Sequence, residues 1–171
     1  CSAQNLETKD SALLQPVEII ALRASMKTPV SATTLQATEI GKNNTGRDLP
    51  FLLNLTPSVV VNADAGNGIG YTGIRIRGSD GTRINVTMNG IPVNDAESHM
   101  VYWVDLPDVA ASAEGIQIQR GVGTSTNGAG AFGGSINLQT GKMQPEPFGE
   151  ISSSYGSFRT NRNSVRFGTG L

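Results

Sequence analysis

The sequence predicts an α+β fold, and three observations carry that prediction. Short β-branched runs such as "GIRIRG" and "RINVTMNGIPV" recur between glycine-rich connections. Brief helical signals, such as "RDLPFLLNLTP", are interspersed with them rather than alternating regularly with strands. The final stretch, residues 146–171, changes to strict apolar–polar alternation on two segments joined by a short polar turn.

In chain order, residues 1–15 are polar and aperiodic, and read as a flexible leader or the remnant of a signal peptide. "PVEIIALRA" follows as a β-branched run opening on Pro16, a residue tolerated at the first position of a strand. "SATTLQATEIGK" reads as a strand leading into a short helix, with Thr38 expected to cap it before Glu39. A helical turn over residues 49–55 is stopped by Pro57, and residues 59–61 make a strand. Beyond the glycine-rich loop "ADAGNGIGYTG", strands are expected at 74–77 and 83–88. Alternation puts Ile74 and Ile76 on one face of the first strand, with Arg75 and Arg77 on the other. Asn89-Gly90 supplies the residues that a tight hairpin turn needs at positive φ, and 91–93 returns as a strand. Residues 94–104 form a polar and aromatic loop. A short helix and a strand at 116–120 come next, then a second glycine-rich connection that closes on the strand "SINLQT".

In "GEISSSYGSF", Gly149, Ile151, Ser153 and Tyr155 alternate with Glu150, Ser152 and Ser154. In "SVRFGTGL", Val165, Phe167, Thr169 and Leu171 alternate with Ser164, Arg166, Gly168 and Gly170. Barrel strands of about 9–11 residues show this pattern, and so does any hairpin with one wet face. Two strands cannot close a barrel, and the second is still running at Leu171, so a continuation is expected.

Composition excludes several classes. Charged residues make up 16% of the chain and the formal net charge is −1, so the basic stripe of a nucleic-acid binder is missing. A disordered chain would carry higher net charge and fewer aliphatics. One cysteine among 171 residues leaves no internal disulfide framework and no cysteine-based zinc site. That residue, Cys1 in "CSAQN", fits a signal peptide cleaved before Gln4, an acylated lipoprotein terminus, or an uninformative chain end. No apolar run reaches the 18 residues of a membrane-spanning helix.

Motifs of chemistry are weak. "GIGYTG" has the spelling of a dinucleotide loop, but it precedes a strand instead of opening a helix. "NDAESH" places Asp95, Glu97 and His99 two apart, on one face if extended. A fourth ligand is not evident, so no metal site is expected there. With a single histidine and no nucleophile elbow, no catalytic residue is assigned, the chain is not expected to be an enzyme, and no cofactor is expected.

"IRIRG", "VTMNGIPV", "AEGIQIQRG" and "GAGAFGGSINLQT" stand in order between residues 74 and 140. Together they resemble the plug domain of TonB-dependent outer-membrane transporters, and the resemblance runs from about Val17 to the chain end. The family often has Pro where this chain has Val122, and an aromatic where it has Asn127. Both departures touch loop detail.

The resemblance implies a plug with a small mixed sheet of about four strands, over residues 16–145, seated in a barrel of about 22 strands whose first two occupy 146–171. Arg77 and Arg120 match plug arginines that the family pairs with acidic residues on the inner barrel wall; Glu114 falls where the family commonly has a glutamate and is expected to support one of these arginines, making the three the plug–barrel contacts. Arg75 has no such match. Val17, Glu18, Ile19, Ile20 and Ala21 lie where the TonB box belongs, a strand that adds to a sheet edge of periplasmic TonB, itself driven by the ExbB/ExbD motor. The loops 62–73 and 94–104 correspond to apical plug loops facing the ligand, with Asn67, Tyr71, Asn94, Asp95, Glu97, His99, Tyr102 and Trp103 as contacts. The wording "NGIPVNDAESHMVYWVDLPD" looks most like importers of ferric chelates such as iron citrate. The implied partners are TonB, the barrel, the outer membrane and a ferric chelate or other small nutrient; the N-terminus would lie in the periplasm. Two rivals are a freestanding periplasmic binding or signalling module with the plug fold, and a metal-dependent hydrolase using Asp95, Glu97 and His99.

Overall fold

β-Branched and amide-bearing residues alternate along the central strands, and that alternation sorts the sheet into one greasy and one polar face. The computed structural model describes residues 30–123, 128, 130–141 and 146–170. The leader and the 17–21 segment therefore lie outside the described residues.

The strands are β1 (Ala32–Gln36), β2 (Val59–Ala63), β3 (Thr72–Ile76), β4 (Ile84–Met88), β5 (Ile91–Pro92), β6 (Ala113–Arg120), β7 (Gly134–Thr140), β8 (Phe148–Tyr155) and β9 (Asn161–Gly168). Two short helices, α1 (Ala37–Asn43) and α2 (Leu49–Leu52), precede β2. The main sheet has five strands in the order β1-β6-β7-β4-β5, and it is mixed because β4 and β7 run parallel while the other pairs are antiparallel. The fifth strand is only Ile91–Pro92, so the expected four strands are present with a short addition. β2–β3 and β8–β9 form separate two-stranded sheets. No helix among the described residues is long and apolar enough to cross a membrane, which says nothing of a β-barrel.

Register explains the two faces. Thr33, Ile118, Ile136 and Val86 stand in one row across four strands, with Leu35, Ile116, Leu138 and Met88 in the next. Ile116, Ile118 and Ile136 are wholly buried, and Ile40, Leu49, Leu53, Ile74, Ile76 and Trp103 join the same core. The helices and the β2–β3 hairpin thus close over this face. On the other face Thr34, Gln117, Asn137 and Thr87 form a polar row. Gln117 donates to Thr34 Oγ1 at 3.1 Å, Gln119 donates to Gln117 Oε1 at 3.2 Å, and Thr87 donates to Asn137. Amides and hydroxyls therefore satisfy one another over most of this face, the buried Ser135 hydroxyl being an exception.

Several local readings change. Gln36, not Thr38, is the N-cap of α1. The helix starts directly at the end of β1, and Glu39 reaches back to accept from the Gln36 amide at 3.2 Å. β3 stops at Ile76 rather than Arg77, because Arg77 and Gly78 form a tight turn with φ of 51° and 81°. Ile76 and Ser79 exchange backbone hydrogen bonds across it. Arg77 therefore leaves the strand's alternation and does not share a face with Arg75. The Asn89-Gly90 turn is as expected, with φ of 51° and 85°.

Gly134 shows how tightly the sheet meets the layer above. A Cβ there would lie 2.7 Å from the Gln119 carbonyl oxygen and 3.1 Å from Ile76 Cδ1. Neither the strand backbone nor a wholly buried isoleucine can give way cheaply. Gly134→Ala is expected to cost about 1–3 kcal/mol through overpacking, whereas Gly130→Ala, with open space around the site, should cost far less. Thermal unfolding of the two variants side by side checks this.

Candidate functional site

Two loops approach each other beside β3 and β4, and each is held by a single short side chain. In the first, the buried Asp48 just before α2 accepts from the Gly70 amide at 3.0 Å and from Thr72 Oγ1 at 2.9 Å, while its own amide donates to the Gly68 carbonyl at 2.9 Å. Asp48 was not among the residues expected from sequence. Its only signal there was a short polar side chain ahead of a Leu-Pro helix start, which reads as an ordinary cap. Asn67 accepts from the Ile69 amide at 3.0 Å, so its oxygen shapes the loop tip. Tyr71 is 67% exposed.

In the second loop, Asn94 is the pin. Its Oδ1 accepts from the Val86 amide at 2.7 Å, and its Nδ2 donates to the carbonyls of Ile84 and His99, both at 2.9 Å. The expected ligand contact is thus an amide already committed to tying the loop to β4. Asp95 caps the turn that follows: its Oδ2 accepts from the amides of Glu97 at 3.1 Å and Ser98 at 2.7 Å, and from Ser98 Oγ at 2.8 Å. The Ser98 backbone and hydroxyl bonds hold the Asp95 carboxyl below its usual range, with the Glu97 amide and His99 adding to the effect. Because the segment turns here, and His99 sits at φ 59°, Asp95, Glu97 and His99 do not share an extended face. Among the described residues no group of three His, Cys, Asp or Glu is placed to hold a metal.

Glu97, His99 and Tyr102 are exposed, but Trp103 is 3% exposed and belongs to the core. The 3-10 turn at Trp103–Asp105 carries it, so any contact it makes with a ligand is through the cleft rather than from the loop's outer surface. A cleft of about 200 Å³ lies between the loops, lined by Asn62, Thr72, Arg75, Asp80, Met100 and Trp103 among others. The Thr82 hydroxyl, with the Thr82 amide and the charges of Arg83 and Arg75, holds the Asp80 carboxyl below its usual range. Arg75, left without a role by sequence reasoning, thus presents a cation at the cleft, where an acidic or zwitterionic group could meet it.

The two matched arginines sit at another end of the sheet. Arg77 donates its amide to Ser58 at 2.9 Å and lays Nη1 against Gly121, where a Cβ would stand 2.6 Å away. Arg120 donates from Nη1 to the Pro57 carbonyl at 3.2 Å, while its buried Nε has no partner. Among the described residues neither is ion-paired; the pairs present are Arg162–Asp108 and Arg166–Glu150. Glu114 lies away from Arg120. It occupies a bulge at the opposite end of β6, about 20 Å from Arg120 along the strand.

A family model described as the TonB-dependent receptor plug domain matches residues 24–135. The chain belongs to that family. The plug fold recurs in solved structures. The ferric yersiniabactin uptake receptor FyuA from Yersinia pestis is similar at TM-score 0.62 and 17% identity, over 83% of this chain and 22% of that one. FpvA of P. aeruginosa bound to a pyoverdine is similar at TM-score 0.64 and 21% identity, over 85% of this chain and 18% of that one. The copper transporter OprC gives TM-score 0.60 at 18% identity, over 81% and 21%. The plug chain thus spans about a fifth of the length of these proteins. No curated protein matches it.

The capping role of Asp95 predicts a measurable loosening. A carboxyl whose pKa is lowered on folding contributes stability above its unfolded value, and that contribution is lost as pH falls through the lowered folded value. Asp95→Ala should therefore speed amide exchange at Glu97 and Ser98 near neutral pH while leaving β6 and β7 protected. Wild type should show the same local loosening only when acidified below the ordinary carboxylate range.

Proposed function

We propose that this chain is the plug, with the first barrel hairpin, of an outer-membrane active transporter that gates its barrel, contributes to ligand binding and couples to TonB for energised import of a ferric chelate. One observation beyond the family membership carries the reading: the two faces of the β8–β9 hairpin. Ile151 pairs with Val165 and Gly149 with Phe167, putting Ile151, Tyr155, Val165 and Phe167 on one face, each at least two-thirds exposed. The opposite face pairs Glu150 with Arg166, Ser152 with Ser164 and Ser154 with Arg162, and it meets the plug through Arg162. Apart from Ser153, Asn161 and Asn163 near the turn on the outer face and Phe148 on the inner one, the hairpin is polar toward the plug and apolar away from it, the pattern of a barrel wall in lipid.

In this reading Val17, Glu18, Ile19, Ile20 and Ala21 form the strand that adds to TonB, with the ExbB/ExbD motor supplying force. The exposed loop residues Asn67, Tyr71, Glu97, His99 and Tyr102 face outward to the ligand, and Arg75 adds a cation suited to the anionic periphery of a ferric chelate. Arg77 and Arg120 pair with carboxylates on the barrel wall. The unpaired buried Nε of Arg120 supports that role, because a buried donor without an acceptor is costly to leave. So does the left-handed backbone of Arg77, a conformation that persists only where its surroundings hold it.

Coupling is tested with Ile19→Pro in the full-length receptor, which removes a backbone donor from the added strand. Energised uptake of radiolabelled ferric chelate should collapse while surface binding persists; normal uptake would remove 17–21 from the coupling role. The arginines are tested by purifying the receptor with Arg77→Ala and Arg120→Ala together. Assembly in the outer membrane should survive, since the isoleucine core is untouched, but uptake should fall, with Lys at either position rescuing only in part. Unchanged uptake would mean that both are solvated surface charges.

A further inference from the structure

Among the described residues, the polar contacts of the β8–β9 hairpin with the rest of the fold come from one side chain. Arg162, the second residue of β9, donates from Nε to Oδ2 of Asp108 at 2.7 Å, and the two side chains are only 20% and 33% exposed. The other oxygen of Asp108 accepts from Asn44 Nδ2 at 2.9 Å. Asn44 is the C-cap of α1, and its Oδ1 in turn accepts from the Gly46 amide at 2.9 Å. The aliphatic stem of Arg162 lies on Gly46, where a Cβ would stand 3.0 Å from its Cδ.

Two backbone conformations are committed to this arrangement. Gly46 has φ 81°, and Asp108 is left-handed at φ 47°, ψ 32° although it is not glycine. A non-glycine residue in that region signals surroundings that hold it there. Here the holding groups are the Asn44 amide and the Arg162 guanidinium. The stem-receiving glycine and the steadying amide come from one stretch of the plug just after α1, the carboxylate comes from another 64 positions beyond Asn44, and together they hold one arginine.

We propose that Asn44, Gly46 and Asp108 form an arginine socket on the plug, and that Arg162 seated in it registers the plug against the barrel wall. This rests on the reading of β8–β9 as barrel strands. The polarity is opposite to that expected for Arg77 and Arg120: here the plug supplies the acid and the wall supplies the base. A planar, permanently charged fork suits the site, and a lysine would keep the charge without the fork.

The test uses the full-length receptor in planar bilayers, with Arg162→Ala, Asp108→Asn and the double variant, each first checked for an assembled barrel by heat-modifiable mobility. Asparagine tolerates the left-handed backbone, so Asp108→Asn removes the charge without adding strain. Each single variant should raise leak conductance severalfold over wild type, Arg162→Lys should fall between, and the double should leak no more than the worse single, because both remove one contact. Single variants that conduct like wild type, or a double whose leak compounds the two singles, would overturn the socket. Deleting residues 30–141 separates the two readings. A transporter without its plug opens a large pore; no pore would refute the transporter reading and the socket's role with it.

Discussion

The wholly buried isoleucines of β6 and β7 are the surface on which the rest of the fold is assembled. Ile116, Ile118 and Ile136 face one way from the central antiparallel pair, where Leu138 joins them, and apolar residues from several other segments reach them: Ile40 from α1, Leu49 from α2, Ile74 and Ile76 from β3, Trp103 from the loop before β6. Because the central strands are joined by long connections rather than hairpins, that face forms only when distant parts of the chain meet. Gly134 sets how closely they meet, since the space of a side chain there is filled by Ile76.

This dependence explains how the loops can be long yet ordered. The cover over the core is made of short segments, and both β3 and β4 line the cleft between the loops. Asp48 and Asn94 fasten those loops, Asn94 through backbone groups and Asp48 through the Gly70 amide and the Thr72 hydroxyl. Their neighbours are thereby freed to be exposed. The outward surface of the loops is then shared by Asn67, Glu97 and His99 with Tyr71, Tyr102 and Met100.

Much of the fold was legible in the sequence because its signals are local. Asn89-Gly90 fixes a hairpin turn, Pro57 ends a helix, and alternation in residues 148–168 pairs two strands in the expected faces. What stayed hidden depends on tertiary geometry. No pattern tells an inward Trp103 from an outward one, since both follow a tyrosine in a polar loop. Glu114 lies in the same strand as Arg120, but it sits at a bulge at the far end, a strand's length away. Asp108 looks like a turn residue after proline until Arg162 arrives from 54 positions away.

The edges of the main sheet are unequal. One ends in β5, where Pro92 lacks the amide that a further strand would need. The other ends in β1, "ATTLQ", with neither proline nor charge to discourage an incoming strand. Sheets with two receptive edges can join head to tail without limit, which is how fibres begin. Among the described residues, one edge of the sheet is thus blunted and the other is not. The same proline that looks like a flaw in a strand keeps this sheet from offering two equally receptive edges.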